Sequence, residues 1–141
     1  MKQLMTMMAV CLMTGSAFAQ HVPEKEIPAA VRSAFQKAHP DAKEVKWEKE
    51  AGNYEAEFEQ NKIEQSVLID AQGKILETEV EIAVSELPQA ARDYVAQHYK
   101  GQTVKEAAKI TDAKGVVTYE AEIKGKDLIF DSKGAFIKET K

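Results

Sequence analysis

The sequence predicts an α+β fold in which two tandem helix-plus-four-strand repeats form one antiparallel sheet with the helices on one face. The first observation is an internal repeat, because three segments recur in the same order 60 to 65 residues later. The second is that each copy begins with helical spacing of apolar residues and then changes to alternation with period two. The recurring segments are 26–30 and 86–90, 54–58 and 119–123, and 67–74 and 128–135.

One helix is predicted at the start of each repeat. Pro28 and Pro88 suit a first helical turn, where the N–H that proline lacks would have no intrahelical partner. Ser85 is a candidate N-cap for the second helix, and Pro40 and Gly101 end the two helices. Helical spacing joins Val31, Ala34, Phe35 and Ala38 in the first copy, and Ala91, Tyr94, Val95 and His98 in the second.

Four strands follow each helix. Apolar residues alternate with glutamate, lysine or threonine, which is typical of antiparallel strands with one buried face. Asp70, Asp112 and Asp131 each open an Asp-x-x-Gly segment, which favours a type I turn; no further acid within these segments supports a calcium loop. We predict strands near 43–50, 53–60, 63–69, 74–82, 103–111, 116–123, 126–130 and 135–140.

The two repeats are predicted to share one sheet. Each has about 60 residues, which is marginal for an independent core without a disulfide or metal. Every Met and the single Cys lie within the first thirteen residues, so the rest of the chain has no thiol for either. We therefore predict a single domain over 20–141, made of repeats at about 22–82 and 83–141.

Residues 1–19 have the features of a secretory signal peptide. Lys2 precedes an apolar stretch, and Ala17-Phe18-Ala19 forms a small-residue cleavage site, so we predict cleavage after Ala19. The apolar stretch is shorter than the roughly 20 residues of a membrane span, and we predict no span in the mature protein. This indicates a periplasmic protein, with secretion as the alternative, and places His21 in a disordered N-terminal tail.

Composition and motifs restrict the function. The net charge is −4 and no cluster of Lys or Arg occurs, which argues against nucleic-acid binding. We find no nucleophile elbow, phosphate loop or metal-ligand motif, and predict no catalytic, cofactor-binding or metal-binding residues. Paired glutamates leave a hydrolase as a minor alternative, which would require two convergent carboxylates with perturbed pKa values in a pocket.

Rows of glutamate mark the polar face of the predicted sheet. We interpret this face as solvated, with Lys46, Lys105 and Lys109 opposite the acids, and the alternative is a surface that recognises a basic partner or a cation. Trp47 is either a core aromatic or an anchor on the open sheet face. The candidate interaction face comprises Trp47, Glu55, Glu57, Glu77, Glu79, Glu120 and Glu122.

The chain resembles the PepSY-like family of small exported bacterial proteins. In the first copy the resemblance is carried by Ile27-Pro28-Ala29-Ala30-Val31, Phe35, His39-Pro40, 42–48 and 54–58; in the second it is carried by Leu87-Pro88, 119–122 and 130–134. It implies a fold similar to the β-lactamase-inhibitor protein, which binds proteins on the concave open face of its sheet, and no catalytic residues carry over. The leading hypothesis is a non-enzymatic periplasmic module that binds an exported protein or peptide through the exposed sheet face. The alternative is a small-ligand or cation (calcium) sensor that uses the acidic face.

Overall fold

Nine antiparallel strands and two α-helices make up the fold in a computed structural model, which describes residues 20–141. The predicted signal peptide and its cleavage site lie outside the described residues. The strands are β1 (Gln20–His21), β2 (Lys43–Glu50), β3 (Asn53–Gln60), β4 (Ile63–Ile69), β5 (Ile75–Ile82), β6 (Glu106–Asp112), β7 (Val117–Ile123), β8 (Lys126–Asp131) and β9 (Phe136–Thr140). The helices are α1 (Ala29–Ala38) and α2 (Gln89–His98), each preceded by a short 3₁₀ turn, at Glu24–Glu26 and Val84–Glu86.

All nine strands belong to one sheet, in which spatial order follows chain order from β1 to β9. The two repeats meet where β5 pairs antiparallel with β6, with Val80 opposite Lys109 and Ile82 opposite Ala107. The prediction of two repeats in one continuous antiparallel sheet is therefore confirmed. This arrangement gives each small repeat a paired strand edge in place of a disulfide.

Two local predictions are wrong. His21 is not in a disordered tail, because β1 pairs with β2 through Gln20 opposite Lys49 and His21 opposite Glu48. Ser85 does not cap α2: it lies inside the 3₁₀ turn, and Pro88 occupies the N-cap position. The Glu86 carboxylate instead accepts a hydrogen bond from the backbone N–H of Ala83.

Each helix packs against the sheet strands of its own repeat. In the first repeat, Phe35 on α1 contacts Trp47 and Phe58 edge to face, with ring centroids 5.2 and 5.1 Å apart. In the second, Ala91 and Val95 on α2 pack with a buried cluster on β6, β7 and β8 that includes Phe130. Both clusters lie on the same side of the sheet, which places the helices in one layer.

The Asp-x-x-Gly segments are hairpin turns, as predicted. In each, the aspartate Oδ1 accepts hydrogen bonds from two backbone N–H groups of its own turn, at 2.8 to 2.9 Å. Gly73 and Gly134 also touch the helix layer: a Cβ on Gly73 would lie 2.7 Å from the Ala30 carbonyl oxygen, and one on Gly134 would lie 2.8 Å from the Ala91 nitrogen. These two glycines therefore allow the turns to dock against the helix N-termini.

No helix within residues 20–141 is long and apolar enough to cross a membrane.

Candidate functional site: the open face of the sheet

The face of the sheet opposite the helices, called the open face below, is built by strand register. Residues directly opposite each other on neighbouring strands share a face, so the pairing fixes which side chains adjoin. One row across the strands consists of Glu48, Glu55, Leu68, Glu77 and Asp112; the next consists of Lys46, Glu57, Ser66, Glu79, Ile110 and Thr118. Further rows consist of Glu81, Ala108, Glu120, Ile129 and Lys138, and of Glu106, Glu122, Asp127 and Thr140.

Three glutamates on the open face are buried, so the interpretation of a fully solvated face is wrong. Glu55, Glu79 and Glu120 are only 5%, 7% and 2% exposed. The helices lie on the other side, and no element of residues 20–141 covers these side chains. Neighbouring side chains of the same face, rather than a covering layer, therefore surround these three carboxyl groups.

Burial shifts the acid–base behaviour of these carboxyl groups. Loss of hydration raises the pKa of Glu120 to about 9, and the nearby Glu79 and Asp127 carboxylates raise it further. Loss of hydration likewise raises the pKa of Glu55 to about 8, although a hydrogen bond from the Ser66 hydroxyl opposes the shift. The pKa of Glu79 rises to about 7 for the same main reason, with repulsion from Glu77.

Two buried carboxyl oxygens have no hydrogen-bond partner. They are Oε2 of Glu79 and Oε1 of Glu120. A buried polar group without a partner costs free energy. Both oxygens are shielded from solvent, and a cation or a hydrogen-bond donor that pairs with either one would remove this cost.

The partly exposed glutamates surround this buried group. The pKa values of Glu57, Glu77 and Glu122 are all raised, with loss of hydration as the largest cause in each case. Since repulsion among carboxylates contributes to each shift, the open face carries a surplus of negative charge.

Of the three lysines expected to relieve this repulsion, two act as predicted. Lys46 lies directly opposite Glu57, and Lys105 lowers the pKa of Glu122. The prediction that Lys109 lies among these acids is wrong. It pairs with Val80 and Tyr119 on the helix face, because β6 directs Ala108 and Ile110 to the open face.

The inclusion of Trp47 in the candidate interaction face is also wrong, because this residue does not lie on the open face. Its side chain is 3% exposed and packs against Phe35 on the helix side of the sheet. It shares a face with Ala56 and Val67, while Glu48 beside it in β2 points to the open face. The core alternative is therefore the correct one for this residue.

Two clefts open on this face. The first, of about 10 Å³, is lined by Glu55, Glu79, Ser66 and Leu68 among others, and such a volume holds about one water molecule. The second, of about 90 Å³, has a mixed lining of apolar, hydroxyl-bearing and charged residues: Ile110, Ile129, Thr118, Thr140, Glu77, Glu120 and Lys138. We call this larger opening the Glu120 cleft.

A separate group of carboxylates lies at the β2 end of the open face. One carboxylate oxygen from each of Glu48, Glu55 and Glu57 lies within 4.8 Å of the other two. Oxygen ligands from carboxylates suit a hard cation such as Ca²⁺. This group includes two of the predicted interaction residues.

Pairs of carboxyl groups with perturbed pKa values share each cleft, which is the condition set above for the hydrolase alternative. Glu55 and Glu79 line the first cleft, and Glu77 and Glu120 line the second. Loss of hydration raises the pKa of all four groups.

The sequence reasoning missed the apolar residues of the open face: Leu68, Ile110 and Ile129. A signal was available, because Val67-Leu68-Ile69 and Leu128-Ile129-Phe130 are unbroken apolar runs rather than alternating ones. Such runs indicate a strand that is partly covered on both faces.

Comparison with known proteins agrees with this architecture. A family model described as "Putative beta-lactamase-inhibitor-like, PepSY-like" matches residues 16–77 and again residues 76–138, in agreement with the two repeats. No curated protein matches the chain.

Several solved structures share the fold. A protein of Bacteroides eggerthii described as one of its "putative periplasmic proteins" superposes with a TM-score of 0.72 at 17% identity, over 80% of this chain and 87% of that chain. A DUF2874 family protein of Bacteroides uniformis gives a TM-score of 0.71 at 23% identity, with 80% and 88% covered. A BLIP-like protein of Bacteroides fragilis gives 0.64 at 24% identity, with 80% and 85% covered. Two matched repeats, one nine-stranded sheet and a helix layer on one face together establish that the chain belongs to the PepSY-like, β-lactamase-inhibitor-like family.

Proposed function

We propose that the protein is a non-enzymatic binding module that holds an exported protein or peptide against the open face of its sheet. The observation that carries the proposal is the pair of buried, unpartnered carboxyl oxygens, on Glu79 and Glu120, on the open face of the sheet. A ligand that supplies a donor or a positive charge removes the cost of leaving them unpaired. We therefore expect the partner to present a basic surface to the open face.

The proposal places this activity in the periplasm, with secretion as the alternative. Residues 1–19 support export by sequence, and one protein of the same fold is described as one of the "putative periplasmic proteins" of Bacteroides eggerthii. The family description as inhibitor-like supports a role in binding rather than catalysis.

Capture from a periplasmic extract tests the proposal, with charge reversal as the discriminating change. Glu57→Lys with Glu122→Lys reverses two partly exposed carboxylates of the open face. The matched control, Glu24→Lys with Glu26→Lys, makes the same charge change in the exposed turn before α1. We expect a partner that the wild-type protein and the control retain and the open-face variant loses. Equal retention by all three proteins would place binding elsewhere.

The second candidate function is a cation sensor, favoured by the close approach of the Glu48, Glu55 and Glu57 carboxylates. A cation that binds only the native state raises the melting temperature. We expect millimolar Ca²⁺ to raise it for the wild-type protein and not for Glu57→Gln. An equal melting temperature with and without Ca²⁺ would reject this candidate.

A further inference from the structure

The Glu120 cleft differs from the rest of the acidic face because it combines volume, apolar lining and an unpartnered buried oxygen. Its side chains come from β5 to β9, so the second repeat builds most of it. The Glu120 side chain is 2% exposed, and its Oε1 accepts no hydrogen bond. A cleft that combines apolar residues with a few polar groups is the kind of pocket that binds one side chain of a partner specifically.

The internal repeat supplies a comparison within the same molecule. Glu55 is the counterpart of Glu120, because each is the second residue of the recurring Tyr-Glu-Ala-Glu segment. Glu55 is also buried, yet the cleft beside it has a volume of about 10 Å³, against about 90 Å³ beside Glu120. Only the second repeat therefore has room for more than about one water molecule at this position.

The chemistry of the lining selects among cations. Ile110 and Ile129 offer an apolar surface for an aliphatic stem, and long basic side chains bury their stems in this way. Glu77, Glu120, Thr118 and Thr140 line the same cleft, and each of these residue types carries side-chain oxygen acceptors. A guanidinium has five N–H donors in a plane, whereas an ammonium has three on one atom, so a set of dispersed acceptors favours arginine.

We propose that the Glu120 cleft binds the guanidinium group of an arginine side chain carried by the partner protein or peptide. This rests on the proposed function and names the group by which the partner is anchored. Lys138 pairs with Ile129, one strand beyond Glu120, at the edge of the cleft. It occupies the sheet position that Glu77 holds in the first repeat, and its charge opposes an incoming cation.

An NMR titration of the ¹⁵N-labelled protein at pH 7 tests the assignment with three peptides. They are acetyl-Gly-Ser-Arg-Ser-Gly-amide and the same peptide with lysine or with uncharged citrulline in place of arginine. We expect saturable shifts at the amides of Thr118, Ile129 and Thr140 with the arginine peptide. Affinity should be at least threefold weaker for lysine and tenfold weaker for citrulline. Equal affinities for the three peptides would overturn the assignment.

Matched variants locate the binding group. Glu120→Gln should weaken the arginine peptide at least tenfold, whereas Glu24→Gln, in the exposed turn before α1, should change affinity less than twofold. Lys138→Met should strengthen binding severalfold at low salt, because it removes a competing positive charge and keeps the stem. Trp47 fluorescence verifies that each variant is folded, since the only tryptophan lies in the core.

The outcomes separate this inference from the proposed function. Capture that is sensitive to Glu57 and Glu122, combined with no peptide shifts at the cleft, would overturn the arginine anchor and leave the open face as the binding surface. Peptide binding that is equal in wild type and Glu120→Gln would also overturn the anchor. Loss of both the capture effect and the peptide shifts would reject both proposals.

Discussion

Relative to the wild-type protein, Glu120→Gln should gain stability as the pH rises from mildly acidic to neutral. The carboxyl has an ordinary pKa of 4.5 in the unfolded chain and about 9 in the folded protein, where it is cut off from water. Because the folded state holds the proton more tightly, its stabilising contribution is complete below pH 4.5. It is lost as the pH rises towards about 9. Glutamine has the same shape and no such titration.

The magnitude follows from the interval between pH 4.5 and pH 7, in which only the unfolded state loses the proton. Each pH unit in that interval costs the folded protein about 1.4 kcal/mol, so the total is about 3 kcal/mol by pH 7. The free energy of unfolding of Glu120→Gln, minus that of wild type, should rise by about this amount between pH 4.5 and pH 7. Glu55 and Glu79 titrate in both proteins, so their own contributions largely cancel in the difference.

Urea unfolding followed by Trp47 fluorescence at several pH values measures this difference. Glu122→Gln is the control on the same strand: that carboxyl is more exposed, and its variant should show a smaller change with pH. The stability difference between wild type and Glu120→Gln could instead stay constant with pH to within about 0.5 kcal/mol, which is typical of surface substitutions. That result would show that Glu120 is hydrated and contradict its burial.

Three further predictions concern the fold and are checked by urea or thermal unfolding and by circular dichroism. Gly134→Ala should destabilise the protein by at least about 1 kcal/mol more than Gly115→Ala; both have positive φ, but only Gly134 touches α2. Equal costs would rule out the turn–helix contact. Phe130→Ala, at a fully buried position, should cost about 3 to 5 kcal/mol, and Val116→Ala, at a half-exposed one, less than about 0.5 kcal/mol. A chain limited to residues 20–82 should give the circular dichroism of an unfolded polypeptide, since it loses β6 from the edge of β5; a cooperative unfolding transition would contradict this.

The repeat and its periodicity predicted most of the fold, because helix and strand patterns are properties of short segments. The strand boundaries differ by at most three residues, as for β6, predicted near 103–111 and found at Glu106–Asp112. The short β1 was missed because two residues carry no periodicity, and its pairing depends on β2.

The character of the open face could not be predicted in the same way. Alternation assigns a residue to one face of a strand, and it correctly placed Glu55, Glu79 and Glu120 together. It does not specify how much of each side chain its neighbours on adjacent strands cover, and these three carboxyls are buried. Lys109 was misplaced because β6 has apolar residues at both Ala107 and Ala108, so its sequence does not define which face is polar.

The proton balance of binding shows whether buried, protonated carboxyls on the open face receive a positive charge. Isothermal titration calorimetry at pH 7 with the arginine peptide, in buffers of different ionisation enthalpy, counts the protons released. We predict release of about one proton per peptide bound, and no release from Glu120→Gln. Binding with an enthalpy that is independent of the buffer, or an absence of binding, would show that these carboxyls do not receive the charge.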